Sequence, residues 1–321
     1  MNSIGNRRPF KKVGTHSGKF HADEVMATAI LMELFDLEIV RTRDEKKLAE
    51  LDIVYDVGNG EFDHHGTEKR HRESGTPYAA CGLIWEKFGR DVIKAWDDSL
   101  SSGEVESIFY HVDRVLIEGI DAIDNGLKTG ETFINTMSFS NIISGFNPPW
   151  DSDKNHDEAF HHAVNFASSV LNNTLEQRMS VLRAKDQVVE AYNKRQNPHL
   201  LIMDNFCPWG YVLKQIDTKK EILFVIYPGR EGYSISTVRK ESGSMEARKD
   251  LPKEWGGKRD EELSNIIGVP DAIFCHPARF IAAAKSLDSI MKMAEIALAE
   301  PPEKFTRKVI WFVRKLVHSK V

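Results

Sequence analysis

The chain has 321 residues, 41% of them hydrophobic and 28% charged, with a formal net charge of −5 at pH 7. That length suits two domains of ordinary globular composition. The acidic balance excludes the global basic field of a mainly structural nucleic-acid binder, but not a nuclease whose bound cations supply positive charge locally.

The three cysteines, Cys81, Cys207 and Cys275, form no CxxC pair, which suits a reducing intracellular compartment. No apolar stretch is long enough to span a membrane, so integral membrane association is not expected. The first 12 residues carry Arg7, Arg8, Lys11 and Lys12 without an acid or an apolar core. They are no secretory signal. They suit a disordered basic lead-in, with a short mitochondrial presequence as the alternative.

In chain order, Lys12-Val13-Gly14-Thr15 is expected as a strand, then a loop and a helix from Ala22 to Phe35. A strand at Glu38–Arg41, a short helix at Glu45–Leu51 and a strand at Ile53–Tyr55 follow. This alternation implies βαβ units and a parallel sheet. Ligands gather beyond the carboxyl ends of such strands, where His16 and Asp56 fall. Val105, Ile108, Phe109, Val112, Val115, Leu116 and Ile120 recur at helical spacing, and Asp124-Asn125-Gly126 supplies a stop. After the break at Asn147-Pro148-Pro149-Trp150, an amphipathic pattern from Phe160 through Leu171 and Leu182 to Val189 predicts a long connecting helix. Beyond Asn197-Pro198, strands are expected at 200–202, 222–227, 233–238 and 272–275, and helices at 260–267 and 288–298. The expected plan is therefore an α/β domain over 1–155, a helical connector over 156–197 and a smaller α/β domain over 198–300. A basic amphipathic tail covers 301–321, expected to dock as a terminal helix.

The chemistry concentrates in four places. The loop Gly14 to Glu24 holds His16, His21 and Asp23, a donor set that suits Mn²⁺, Zn²⁺ or Fe²⁺ better than Ca²⁺. An acid at the start of a helix is also common without a metal. Asp56 before Val57-Gly58 is either a ligand at a strand end or a turn former. In Asp63-His64-His65 one histidine can take a metal while the other faces substrate, and Asp63 can orient a ring or ligate directly. Asp121 and Asp124 lie three apart on one helical face. Asp124 is preferred as the closing ligand because the helix end has more freedom, with Asp121 the alternative. His65 would act on the phosphate or the leaving group, with Asp63 beside it. Lys69, Arg70 and Arg72 are candidate phosphate contacts or solvated loop residues. His161-His162 and His111 are expected to be structural, and Cys207-Pro208-Trp209 a packed turn.

In series, Gly14-Thr15-His16, Phe20-His21-Ala22-Asp23-Glu24, Ile39-Val40-Arg41-Thr42-Arg43-Asp44, Asp56-Val57-Gly58, Phe62-Asp63-His64-His65 and Asp121-Ala122-Ile123-Asp124-Asn125-Gly126 closely resemble the melanocyte-proliferating-gene (Myg) family of the DHH phosphoesterases. Cys207-Pro208-Trp209, Phe224–Tyr227 and Ile273–His276 are similar to that family's second half. The resemblance implies a DHH-type parallel-sheet domain, a helical connector and a substrate-binding α/β domain, with the active site in the cleft. It implies metal ligation by His16, His21, Asp23, Asp56 and His64, with Asp124 chosen as the fourth-motif ligand. Beside it, Asp63 and His65 are expected to be catalytic, and Arg70, His276 and Lys285 to contact substrate. The expected cofactors are two divalent ions, most simply Mn²⁺, with Mg²⁺ the alternative. The expected substrate is single-stranded RNA or a short oligonucleotide, cut 3′–5′, in the nucleus, cytoplasm or mitochondrion. The oligomeric state stays open. Two departures stand out. Gly66 replaces a usual Gln, and Ala282-Ala283-Ala284-Lys285 replaces a Gly-Gly-His element, which predicts an altered substrate preference. The competing functions are a small-molecule phosphoesterase or pyrophosphatase, and a non-catalytic family member that binds nucleic acid or a partner.

Overall fold

The structure, a computed structural model, describes residues 8–66, 68–127, 137–241 and 244–301. The expected tail therefore lies outside the described residues except for Pro301, as do the first seven residues of the lead-in. The chain forms two compact units, residues 1–182 and 183–321, dividing inside the segment expected as a connector.

In the N-terminal unit, β1 (Phe10–Thr15), α1 (Ala22–Met32), β2 (Asp36–Arg41), α2 (Glu45–Leu48) and β3 (Ile53–Val54) follow the expected alternation. The strands form a parallel sheet in the order β2-β1-β3, with Val13 paired to both Ile39 and Ile53. The central β1 ends at Thr15, so His16 leaves the sheet at its middle. β3 is prolonged by a parallel bridge from Tyr55 to Phe62, which sets Asp56 and Asp63 at the same edge. Asp56 itself is left-handed (φ 59°), a conformation that Asp tolerates better than most residues, and the chain turns sharply there.

The other helices contributing to this unit's core are α3 (Ala80–Trp96), α4 (Ser102–Val112), α5 (Glu118–Asp124), α6 (Phe139–Ser144) and α7 (His156–Arg183). The single helix expected from Val105 to Ile120 is continuous but carries a π-helical turn at Asp113–Ile117. α3 had no expectation, because Gly82 and Gly89 lower its helix propensity. Both glycines are demanded by packing: a Cβ on Gly82 would lie 1.8 Å from an Asp121 oxygen, and one on Gly89 2.6 Å from the Trp85 ring. The expected connector helix is two helices, α7 and then α8 (Lys185–Lys194), separated by Ala184. α7 buries Phe160, Val164, Ala167, Leu171 and Leu175 in the same core as α1 and α3, so it belongs to the N-terminal unit.

The C-terminal unit begins at Arg183 and contains α8, β4 (Leu200–Ile202), α9 (Trp209–Ile216), β5 (Phe224–Gly229), β6 (Gly232–Thr237), α10 (Asp260–Ile267), β7 (Ala272–Cys275), β8 (Ile281–Ala284) and α11 (Leu287–Ala299). Its sheet runs β4-β5-β6-β8-β7, with one parallel pair (β4 and β5) and the rest antiparallel. Cys207-Pro208-Trp209 is not only a turn, since Trp209 opens α9. The stretch Ala282-Ala283-Ala284 is an inner strand, with Ala282 and Ala284 buried in the core. Short alanines carry no alternation of apolar and polar residues, so nothing in the sequence marked β8. All three cysteines are free and buried. No described helix is long and apolar enough to cross a membrane.

Candidate metal centre

The site is built where three chain crossings meet. The loop after β1 delivers His16 and His21, and the first turn of α1 delivers Asp23 and Glu24. His21 is the N-cap of α1, and its backbone N–H donates to Glu24 Oε1 at 2.8 Å, half of a capping box. The loop is pinned from outside. Asn147 accepts from the Phe20 N–H at 3.0 Å and donates to the Phe20 carbonyl at 2.8 Å, and the Arg41 guanidinium donates to the Gly18 carbonyl at 2.7 Å. Arg41 is itself packed over the Phe160 ring, with its charge met by Asp157 at 2.8 Å.

Asp56 stands at the centre. Its Oδ2 is 3.2 Å from His16 Nε2, and its Oδ1 is 3.0 Å from His64 Nε2. His16 Nε2 also lies 3.0 Å from Glu24 Oε1, while His64 Nε2 lies 3.3 Å from Asp124 and 3.6 Å from Asp23. The donor atoms fall into three groups, each mutually within 4.8 Å: His16, His21, Glu24 and Asp56; Asp56, His64 and His65; His21, Asp23 and Asp124. Asp56 belongs to two of these groups, and so does His21.

Burial and like charge dominate the electrostatics. Desolvation, reinforced by Asp56, Glu24 and Asp124, drives the Asp23 carboxyl well above the carboxylate range. Desolvation also raises Asp124, against the opposing pull of His64. Asp56 goes the other way: against its desolvation, hydrogen bonds from His16 and His64 hold it at about 2. Against the desolvation that disfavours its charge, His16 is raised by Asp56 and Glu24 to about 10, and His64 is raised by Asp56 and Asp124. Both shifts, upward on His16 and on Asp23, favour a proton among the crowded acids. Asp23 Oδ1, Glu24 Oε2 and His64 Nδ1 are buried and have no hydrogen-bond partner. A buried set of imidazole nitrogens and carboxylate oxygens in this state fits divalent cations, which would replace the protons and satisfy the acids.

Of the expected residues, His16, His21, Asp23, Asp56, His64, His65 and Asp124 come together. Asp63 stands beside the donor groups rather than in them. Its Oδ1 faces His65 Nδ1 at 2.8 Å and its Oδ2 accepts from the Asn59 N–H at 2.7 Å, so it orients the His65 ring. The alternative ligand Asp121 is engaged elsewhere: buried, it pairs with Arg72 at 2.8 Å and accepts from the Gly82 N–H at 3.1 Å. Arg72 also grips Asp113 and is a structural cation. Arg70 pairs with Glu86 on the surface, whereas Lys69 reaches the site and donates to Asn125 at 2.7 Å. His276 and Lys285 lie in the C-terminal unit, His276 against Phe280 and Lys285 just after β8. The residue passed over was Glu24. Its signal was the three-residue spacing from His21, which places it at the third helical position facing back to the cap.

A pocket of about 540 Å³ opens over the cluster, lined by His21, Asp56, His64, His65, Lys69 and Asp124, with Ser140 and Ser144 of α6 on its wall. The exposed ring of His65 stands 4.3 Å from His64, centroid to centroid.

A parallel α/β sheet with a largely buried histidine–carboxylate cluster beyond its carboxyl edge offers the donor set of a divalent-cation site. The chain belongs to the MYG1 exonuclease-type family, described as an uncharacterised protein family (UPF0160), whose profile matches residues 12–298. It is 34% identical over 338 aligned residues to a MYG1 protein of Saccharomyces cerevisiae, covering 93% of this chain and all of that one. It is 33% identical to the MYG1 exonuclease of Homo sapiens, over 90% of this chain and 86% of the relative. A MYG1 protein of Schizosaccharomyces pombe is 33% identical over 90% of this chain and 98% of its own. A RecJ structure in complex with Mg²⁺ from Thermus thermophilus aligns across 91% of this chain and 50% of that one. With 12% identity and a TM-score of 0.28, it is too loose a likeness to bear on the fold or the site. Family membership places the chain among hydrolases acting on phosphodiester bonds.

Proposed function

We propose that the chain is a metal-dependent exonuclease acting 3′–5′ on single-stranded RNA or short oligonucleotides, with two divalent cations, most simply Mn²⁺. The observation that carries this is Asp56. Its two oxygens face two separate donor groups, His16 on one side and His64 on the other. A carboxylate so placed suits a bridge between two ions. His16 and His21, with Glu24 beside them, would hold one ion; His64, Asp23 and Asp124 would hold the other. When bound, such a pair clamps phosphoryl oxygens and lowers the pKa of the attacking water.

The chain's own residues then divide the remaining work. Asp63 fixes the His65 ring through its 2.8 Å contact, and the exposed His65 imidazole is oriented to give a proton to the leaving oxygen. Lys69, held by Asn125, offers the pocket a cation for a non-bridging phosphate oxygen. In this proposal the C-terminal unit carries further substrate contacts, including His276 and Lys285.

A second enzymatic reading, a small-molecule phosphoesterase, draws on the modest pocket of about 540 Å³ with Lys69 as its lysine. The deciding experiment incubates metal-stripped protein with labelled single-stranded RNA, dinucleotides and pyrophosphate, with and without Mn²⁺. An Asp23→Ala, His64→Ala double variant serves as control. Mn²⁺-dependent release of mononucleotides from the 3′ end, absent in the variant, is expected. Hydrolysis of pyrophosphate alone would favour the second reading.

A further inference from the structure

The pocket over the metal cluster has one wall that the hydrolytic chemistry leaves unused. His21, Asp56, His64 and Asp124 are given to ions in the exonuclease reading, and His65 and Lys69 to the phosphate and leaving group. Asn125 is already committed. Its amide nitrogen donates to the Tyr78 carbonyl at 3.2 Å and the Asp121 carbonyl at 3.0 Å, and its oxygen accepts from Lys69. The apolar lining is Ala22 and Ile123. What remains is Ser140 and Ser144 of α6, whose hydroxyls have no hydrogen-bond partner among the described residues.

These serines are held in place. They stand four residues apart on one face of α6. One position earlier in each turn, Phe139 packs against the core and Ile143 is buried in it, which fixes the rotation of the helix. The Phe139 ring stacks on Phe166 of α7 at 6.1 Å, and Phe146, just past the helix, meets the same ring at 5.8 Å. Asn147 then clamps both backbone groups of Phe20, the residue before His21, and its amide nitrogen also reaches back to the Ser144 carbonyl at 3.4 Å. One side chain thus ties the serine wall to the loop that carries His16 and His21.

The lining also narrows what can meet that wall. No Phe, Tyr or Trp is on it among the described residues, so a base finds no ring to stack on. Lys69 is the one lysine or arginine on it among the described residues, so a second phosphate finds no further charge of that kind. A serine hydroxyl both donates and accepts, and so pairs with another hydroxyl.

We propose that Ser140 and Ser144 read the sugar of the terminal nucleotide through its 2′- and 3′-hydroxyls, so that the site selects a ribose end and ignores the base. This rests on the exonuclease reading and deepens it. When the bond to the preceding O3′ breaks, with His65 protonating that oxygen, the terminal unit leaves as a nucleoside 5′-phosphate. With its phosphate over the cluster, its free hydroxyls point away from the ions, toward uncommitted protein hydroxyls. An RNA end carries both groups and a DNA end only one. Ser140 is half-buried and Ser144 exposed, so water replaces a lost partner. The expected discrimination is therefore about tenfold, well below that of a fully enclosed polar site.

The test uses the full chain with saturating Mn²⁺ and three 5′-labelled RNA octanucleotides that differ only in the last sugar: ribose, 2′-deoxyribose or 2′,3′-dideoxyribose. The quantity read is kcat/KM for the first cleavage. The parent is expected to prefer the ribose end to the dideoxy end by about tenfold, whichever base is last. In a Ser140→Ala, Ser144→Ala double variant that ratio is expected to fall toward one, with the parent's melting temperature and Mn²⁺ affinity. A parent ratio near one, an unmoved ratio in the variant, or an equal loss on all three ends overturns this proposal while leaving the exonuclease reading intact. Cleavage of none of the three by the parent overturns both.

Discussion

Replacing Asp121 and Asp124 separately by alanine should give opposite results, although the two lie one helical turn apart. Asp121 is fully buried, takes the Arg72 guanidinium at 2.8 Å and receives the Gly82 N–H and the Cys81 thiol, each at 3.1 Å. Burial raises its carboxyl to about 6, against the opposing pull of Arg72. Removing one partner of a buried pair typically costs about 3–5 kcal/mol, because the other charge is stranded. Arg72 keeps its two-pronged contact to Asp113 at 2.7 and 2.9 Å, so the lower end, about 3 kcal/mol, is expected. For a unit of this size that lowers the melting temperature by roughly 6–12 °C. Asp124 is partly exposed and crowded by Asp56, so its removal relieves repulsion while losing a contact to His64. The expected change in metal-free stability is within about 1 kcal/mol. Metal binding and hydrolysis should instead fall by about 100-fold or more, beyond the usual loss for a residue behind a ligand. Thermal melts in EDTA and Mn²⁺ titrations of both variants give the answer. An Asp121→Ala protein that melts like the parent but cannot bind Mn²⁺ would refute the assignment.

Three further outcomes are expected. His65→Ala should lower kcat by about 100-fold with Mn²⁺ affinity retained, and Asp63→Asn should give a smaller loss of the same kind, by steady-state kinetics beside metal titration. His16 is raised from 6.5 to about 10, so in EDTA its contribution to stability is full below pH 6.5 and is lost as pH rises through about 10. Urea denaturation at pH 6, 8 and 10 should follow that decline, and saturating Mn²⁺ should abolish it, because the ion takes the neutral ring; a metal-free protein equally stable at all three pH values would contradict the protonated His16. Lys69→Met should raise KM for oligonucleotide and flatten its salt dependence while leaving the melting temperature alone, and an unchanged KM would remove Lys69 from the substrate path.

Much of the site could be read from the linear chain. Strand-ending positions at His16 and Asp56, and the string Asp63-His64-His65, carry their meaning locally: a parallel strand must end somewhere, and polar ligands just past its end gather at one edge of the sheet. The amphipathic helices α4 and α7 were legible for the same kind of reason, their apolar spacing being a property of the segment alone.

What the tertiary structure decided were choices between chemically equivalent neighbours. Asp121 and Asp124 share a helical face, and only the position of Arg72 directs one of them inward to an ion pair while the other faces His64. Lys69, Arg70 and Arg72 are three cations in four residues, and the fold gives one to the pocket, one to Glu86 on the surface and one to the buried acids. Glu24 acquires its place because His16 folds back across the start of α1. Gly82 lies in a helix its own propensity opposes because the Asp121 carboxylate occupies the space a side chain would need. The sequence by itself determined which residues could hold charge or metal at the edge of a parallel sheet. Which of them do so depended on partners dozens of residues away, because the energy of a buried charge is set by its neighbours and not by its own segment.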